Sequence, residues 1–268
     1  MRAMSRTMRY AGLLGVQIRA SAVTSMQYRI DFLVEGAISL YWLAWNLVPL
    51  LILYGQRPTV AGWDFPSALV VIAWFTVLRG VLDGAINPSL VGVVEKIRTG
   101  EFDYLLLKPA DAQFLVSTVK FEPWKVIDIL GGLGLAVAAF LMLGRAPSLA
   151  EVALAVLLLV AGALVLYSLW ILIISASFWV IRLDNLVYLF MAVFDAARWP
   201  IAVFRGFWRV LFTLIIPLAL MTSFPAMAIL GTLESTSALL GVGGALLFAA
   251  LARALWRAAI RNYTSASS

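Results

Sequence analysis

Three side chains able to carry charge or donate hydrogen bonds recur every four residues within an otherwise apolar stretch: Arg79, Asp83 and Asn87. On a helix that spacing sets all three on one face, and Arg79 reaches Asp83 as an i, i+4 ion pair. Two readings are open, because charge is expensive in an apolar medium. The pair either fixes helix packing from the inside or lines a polar path whose face transmits movement. A second group lies just beyond, in the run Glu95-Lys96-Ile97-Arg98-Thr99-Gly100-Glu101-Phe102-Asp103-Tyr104-Leu105-Leu106-Leu107-Lys108-Pro109. Thr99 is placed to cap a short helix whose first turn carries Glu101 and Asp103 near the positive end of its dipole, and Pro109 helps to stop it. Acids beside Phe102, Tyr104, Leu105 and Leu106 suit the groove of a protein partner. The same composition suits a solvated loop whose apolar side chains lie back on a membrane.

Other chemistry is excluded by residue type. The chain has no cysteine and no histidine, so thiol nucleophiles, disulfides, imidazole metal sites and histidine proton relays are absent. No G-x-x-x-x-G-K-[ST] run is present, so the chain has no phosphate-cradling loop of that kind. A membrane enzyme finds no support either, since no metal-ligand cluster or nucleophile–base pair stands out.

The elements that must position these residues are membrane helices. The mean hydropathy is +0.98, and only 13% of residues are charged. Several apolar runs exceed the ~20 residues needed to cross a bilayer. Barrel strands alternate over about ten residues, and these runs do not. The fold class is therefore an all-α, multi-pass membrane protein forming one transmembrane domain over residues 1–268. The spans fall at Phe32–Tyr54, Phe65–Leu90, Trp124–Leu143, Leu149–Ile181, Leu186–Phe204 and Ala238–Ile260, six in all. A further apolar piece, Phe207 to Leu230, contains Pro217 and Pro225, each of which removes a backbone donor. It reads as a re-entrant hairpin over residues 206–231, before span six.

Orientation follows from the cations. With the N-terminus inside and six crossings, 14 of the 20 fall in the cytoplasm: Arg2, Arg6, Arg9, Arg19, Arg29, Lys96, Arg98, Lys108, Lys120, Lys125, Arg182, Arg253, Arg257 and Arg261. Both termini are thus expected inside, and residues 91–121 form a cytoplasmic loop. Basic residues beside anionic headgroups account for the pI of about 9.8 without nucleic acid. The N-terminus lacks the short apolar core and small-residue cleavage site of a secretory signal, so the chain is expected to enter the membrane through its own first span. Arg2, Arg6 and Arg9 share one helical face, with Met4, Met8, Leu14 and Ile18 available for another, so residues 1–29 read as an interfacial helix or as a frayed basic tail.

The remaining charges have modest expectations. Asp31 and Glu35 share a face at the start of span one, as interfacial partners of nearby arginines. Asp128 opens span three and reaches Lys125 only after bending, so it receives no role. Outside, Arg198, Arg205 and Arg209 fall on one face if the helix continues through Pro200 and Gly206. They then either snorkel to outer headgroups beside Trp199 and Trp208 or form a cationic rim that attracts an anion.

The run Gly100-Glu101-Phe102-Asp103-Tyr104-Leu105-Leu106-Leu107-Lys108-Pro109, followed by Ile216-Pro217-Leu218-Ala219, Phe224-Pro225-Ala226 and Leu230-Gly231, resembles the membrane subunits of ABC-2-type transporters over nearly the whole chain. The resemblance implies an elbow helix, a coupling helix between spans two and three that seats in a separate ATPase subunit, and an outer gate that includes Arg205, Arg209, Pro217 and Pro225. It implies coupling-loop contacts at Glu95, Arg98, Gly100, Glu101, Phe102, Asp103, Tyr104 and Leu105. It further implies two P-loop ATPase subunits that hold the ATP and Mg, a second permease subunit in a homo- or heterodimer, and a place in a bacterial inner membrane among its lipids. The alternative from another class is a secondary carrier or channel without an ATPase. Such a carrier would be expected to show an ionisable relay or paired broken helices in two repeated halves, and no such repeat is evident.

Overall fold

A computed structural model describes residues 6–27, 29–179 and 184–263; the side chains of 6, 26, 27, 29, 31, 32 and 184–187 lie outside that description. Arg2, Met4 and Arg182 fall outside the described residues, as do the side chains of Arg6, Arg29 and Asp31. In chain order the helices are α1 (Arg6–Gln27), α2 (Arg29–Gln56), α3 (Phe65–Val81), α4 (Asn87–Thr99), α5 (Phe102–Leu106), α6 (Ala112–Ser117), α7 (Val126–Leu143), α8 (Leu149–Ala176), α9 (Asp184–Phe194), α10 (Phe207–Val210), α11 (Phe224–Ile229) and α12 (Ser235–Arg261). The all-α expectation needs one small amendment: β1 (Thr59–Val60) pairs antiparallel with β2 (Trp63–Asp64). Ala61 and Gly62 between them both have positive φ, 51° and 83°, the geometry of a tight hairpin turn.

A π-helical turn over Leu82–Ile86 joins α3 to α4, giving a single helix from Phe65 to Thr99. Asp64 starts it by accepting a hydrogen bond from the Ser67 amide at 3.0 Å. Gly100, at φ 78°, ends it. This helix is the axis of the bundle, for 72% of its most apolar window is enclosed by protein, against 17% for α2 and for α12. It packs antiparallel to α7, where a Cβ at Gly132 would lie 2.7 Å from the Ala73 carbonyl oxygen. Only glycine permits that approach.

α8 and α12 run parallel. Near their starts, Leu158 faces Gly241, and near their ends Phe178, just past α8, meets Trp256 with ring centroids 5.9 Å apart. α8 begins with a capping box, the Ser148 hydroxyl accepting from the Glu151 amide at 3.2 Å and the Glu151 carboxylate accepting from the Ser148 amide at 2.7 Å.

Contacts divide the molecule into two ends. At one end lie the loops 57–64, 144–148 and 230–234. At the other, Arg9 of α1 donates to the Pro109 carbonyl at 2.6 Å, and Tyr263, beyond α12, meets Phe102 at 5.5 Å between centroids. α1 and the end of α12 therefore share a side with the segment between α4 and α7. Tyr10, Leu14, Gln17 and Ser21 form the partly buried stripe of α1, whereas Met8 and Ile18 are exposed; Leu14 is thus parted from Met8 and Ile18, with which it was grouped on sequence.

Among the described residues five helices are long and apolar enough to cross a bilayer, six if Phe207–Ile215 and Ala219–Ile229 count as one bent span. The fifth span expected at Leu186–Phe204 differs. Its helix, α9, has 11 residues, roughly 16 Å at 1.5 Å per residue, about half of a ~30 Å hydrocarbon core. It gives way to 3-10 turns at Asp195–Arg198 and Ile201–Val203. Pro200 lies between those turns, and Gly206 at φ 54° follows them.

The proline-bearing segment bends by 70° between Ile215 and Ala219. Its deep part packs closely on α8: a Cβ at Gly162 would lie 2.9 Å from the Met221 Cα. Gly162 is about 20 Å along α8 from Leu149. The far end lies at the level of the α8 start, where Arg145 donates to the Ile229 carbonyl at 3.1 Å. Pro217 and Pro225 are buried, while Arg205 and Arg209 are exposed.

Candidate functional site

The segment expected to dock a partner is built from the end of α4 outward. Glu95 and Arg98 lie on the helix itself, paired at 2.8 Å with more than half of each side chain exposed. Thr99 is not a cap for α5. It is the last residue of α4, and its hydroxyl donates back to the Glu95 carbonyl at 3.0 Å. Glu101 occupies the N-cap position without a side-chain bond. The wide turn allowed by Gly100 then lays α5 against the ends of α8 and α12.

α5 sorts its residues sharply. Phe102 is 0% exposed and Leu105 7%. Phe102 sits edge-on among Phe178, Trp256 and Tyr263, at centroid distances of 5.4, 6.1 and 5.5 Å, an arrangement aromatic quadrupoles favour. Both residues were expected to be exposed anchors and are instead the attachment of α5 to its own chain. Tyr104 at 73% and Leu107 at 80% are the residues that stand outward. Lys96, Glu101 and Lys108 surround Tyr104 at a shallow depression of about 340 Å³. On the inner side of α5, burial first and the nearby Asp103 carboxylate second raise the pKa of the Tyr263 hydroxyl.

Past α5 a polar clamp holds the loop to three helices. The Arg253 guanidinium of α12 bridges both Asp111 carboxylate oxygens and donates to Gln113 Oε1 at 2.7 Å. Gln113 donates to the Tyr167 hydroxyl of α8 at 3.0 Å, and the Asp111 amide donates to the Tyr10 hydroxyl of α1 at 3.0 Å. The Arg253 hydrogen bonds hold the Asp111 carboxyl below its usual value of 3.8.

The second constellation lies inside the bundle. Arg79 Nε donates to Asp83 at 2.8 Å, and Asn87 Nδ2 donates to the other Asp83 oxygen at 2.7 Å, so the three residues read from spacing do come together. A fourth partner was not anticipated: Arg79 Nη1 donates to Asp195 at 2.7 Å. Arg198, read from sequence as an outer cation, is 3.8 Å from Asp195 and donates to Asn46 Oδ1 of α2 at 3.2 Å. Lys125 and Asp128 approach to 3.4 Å, so the pair set aside on sequence is formed. The 3-10 turn Pro123–Lys125 supplies the bend that brings Lys125 over the first turn of α7.

All six charges line one cavity of about 380 Å³ between α2, α3, α7 and the turn after α9. Asp195 carried a signal of its own, a carboxylate inside a stretch read as a span. Asn46 carried the same signal more faintly.

The chain matches the family model described as ABC-2 family transporter protein over residues 40–267, and it belongs to that family. It is thus a multi-pass membrane component of an ABC transporter, a permease rather than a catalytic chain, and permeases of this family generally pair with ATPase subunits. Neither a curated protein nor a solved structure matches it.

Proposed function

We propose that this chain is the permease subunit of an ATP-driven exporter in a bacterial inner membrane. It docks a separate ATPase through the outward side of α5 and the turn after it. Two such permeases, identical or paired with a second kind, combine with two ATPase subunits, which hold ATP and Mg. The substrate, an amphiphilic, drug-like, lipid-linked or glycan molecule, passes by alternating access. The α5 end faces the cytoplasm, which agrees with Arg9, Lys96, Arg98, Lys108 and Lys120 gathered there. The proline-bearing segment, with Arg205 and Arg209 near its start, serves as the outer gate.

One observation carries the docking assignment: α5 is pinned by Phe102 and Leu105 and leaves Tyr104 and Leu107 uncovered. A five-residue helix anchored on one face and bare on the other transmits force when something grips the bare face. The test compares Tyr104→Asp with Leu107→Asp, and both with Phe102→Asp. The first two are expected to abolish co-purification of an ATPase while leaving the permease monodisperse; Phe102→Asp is expected to destabilise the permease itself. An ATPase that still travels with Tyr104→Asp and Leu107→Asp overturns the docking face. Topology is checked separately in this cysteine-free chain with Arg205→Cys and Glu234→Cys, both exposed positions. Both are expected to react with an impermeant thiol reagent from outside.

A further inference from the structure

The charged cavity has an arithmetic that the docking face lacks. Its lining holds three cations, Arg79, Lys125 and Arg198, and three carboxylates, Asp83, Asp128 and Asp195. Each cation is already within 4 Å of a carboxylate. The hollow is therefore neutral as a whole and strongly polar in detail. Arg79 is level with the start of α7, where a Cβ at the adjacent Gly80 would lie 3.1 Å from the Lys125 carbonyl oxygen, so the cavity sits near the cytoplasmic end of the spans. The Arg79 side chain is 35% exposed, and that of Asp195 40%. Charges so exposed within a bundle cannot face hydrocarbon; they face water or a polar ligand. The rim differs: Trp42 and Trp45 line the cavity and are more than half exposed, with Tyr41 stacked 6.1 Å from Trp45 on the same bare face of α2.

We propose that this cavity binds the headgroup of a zwitterionic amphiphile, one carrying an ammonium and a phosphate or carboxylate, with its apolar tail leaving past Trp42 and Trp45. A ligand bearing a single charge would strand one member of a buried pair without a counter-charge. A zwitterion exchanges with a pair member by member, its anion meeting Arg198 or Lys125 and its cation meeting Asp195 or Asp128. The ammonium also gains from the exposed indole faces at the mouth. The volume, about 380 Å³, is near the low end of the roughly 300–1,000 Å³ usual for ligand pockets, which suits a headgroup rather than a glycan. Only the further step, that such a ligand is carried across, rests on the permease reading.

The test uses the purified full chain in a maltoside detergent, without any ATPase, so its outcome is independent of the docking face. Isothermal titration compares three probes sharing one tail: dodecylphosphocholine, dodecyl phosphate and dodecyltrimethylammonium. The zwitterion is expected to bind about tenfold tighter than either singly charged probe. Lys125→Met leaves the lining one charge negative and is expected to move the preference to the cationic probe. Asp128→Asn does the reverse, favouring dodecyl phosphate. Each variant is read as a ratio of affinities, which loss of folded protein does not alter. Equal affinity for all three probes in the unaltered chain, or ratios unmoved in both variants, overturns the proposal. A zwitterionic lipid retained through purification, seen by native mass spectrometry, identifies a resident bilayer lipid as the source. Ready exchange with added probe identifies a transient ligand.

Discussion

Arg253–Asp111 and Arg79–Asp83–Asp195 use the same pair of residue types to opposite ends. Arg253 closes on Asp111 and Gln113 at the edge of the bundle and draws α1, α6, α8 and α12 together around them. Arg79 divides its donors between two carboxylates on separate elements, and the space among them stays open. One arrangement welds a loop to helices. The other keeps a hollow polar. The contrast shows that an ion pair in a membrane protein is understood from what its remaining donors and acceptors do, not from its distance.

The largest effect should come from the hollow. Arg79→Ala leaves Asp83 and Asp195 facing each other's charge; because Arg79 and Asp195 are more than a third exposed, the expected loss is about 2–4 kcal/mol, below that of a fully buried pair. Thermal unfolding in detergent measures it, and adding Asp83→Asn with Asp195→Asn should recover most of the loss. If Arg79→Ala alone is harmless, the hollow is freely hydrated and the contrast with the weld fails.

The weld should respond less. Asp111→Ala or Arg253→Ala is expected to cost about 1–3 kcal/mol, and the double change should show coupling between them. pH sharpens the point. Because Asp111 is held below its usual 3.8 in the fold, the clamp contributes fully above that value. It is lost as pH falls through the lower folded value. Arg253→Gln should flatten that acid limb of the stability curve.

Glu95–Arg98 sets the lower bound. Both side chains are more than half exposed, and Glu95→Ala should shift stability by less than about 0.5 kcal/mol. A larger effect would mean that the end of α4 is covered by something other than water.

Much of this was legible in the chain. The four-residue spacing of Arg79, Asp83 and Asn87 foretold their shared bonds because a helix converts spacing directly into contact. Asp195 escaped for the opposite reason: it is 116 residues from Arg79, and no local rule pairs them. The fifth span was overdrawn because apolar composition looks the same in a crossing helix and in a short helix followed by 3-10 turns; Pro200 and Gly206 were the available clues. The exposure of Phe102 was misjudged since its burial depends on Phe178, Trp256 and Tyr263, which reach it only after α8 and α12 run side by side. Tyr104, two residues on, has no such neighbours and kept the exposure expected of it.

The π turn at Leu82–Ile86 has a geometric consequence for the chain between the hollow and α5. It contains Asp83, and its Gly84 carbonyl accepts the Glu122 amide at 2.8 Å from the loop before α7. A π turn holds one residue more than the helix around it needs. Re-winding it to α geometry would advance everything beyond by about 1.5 Å and swivel it by about 100° about the helix axis. The bond to Glu122 ties the turn to the loop before α7, so any re-winding would move α4 and α5 relative to the charged hollow by whole-residue steps rather than by smooth bending.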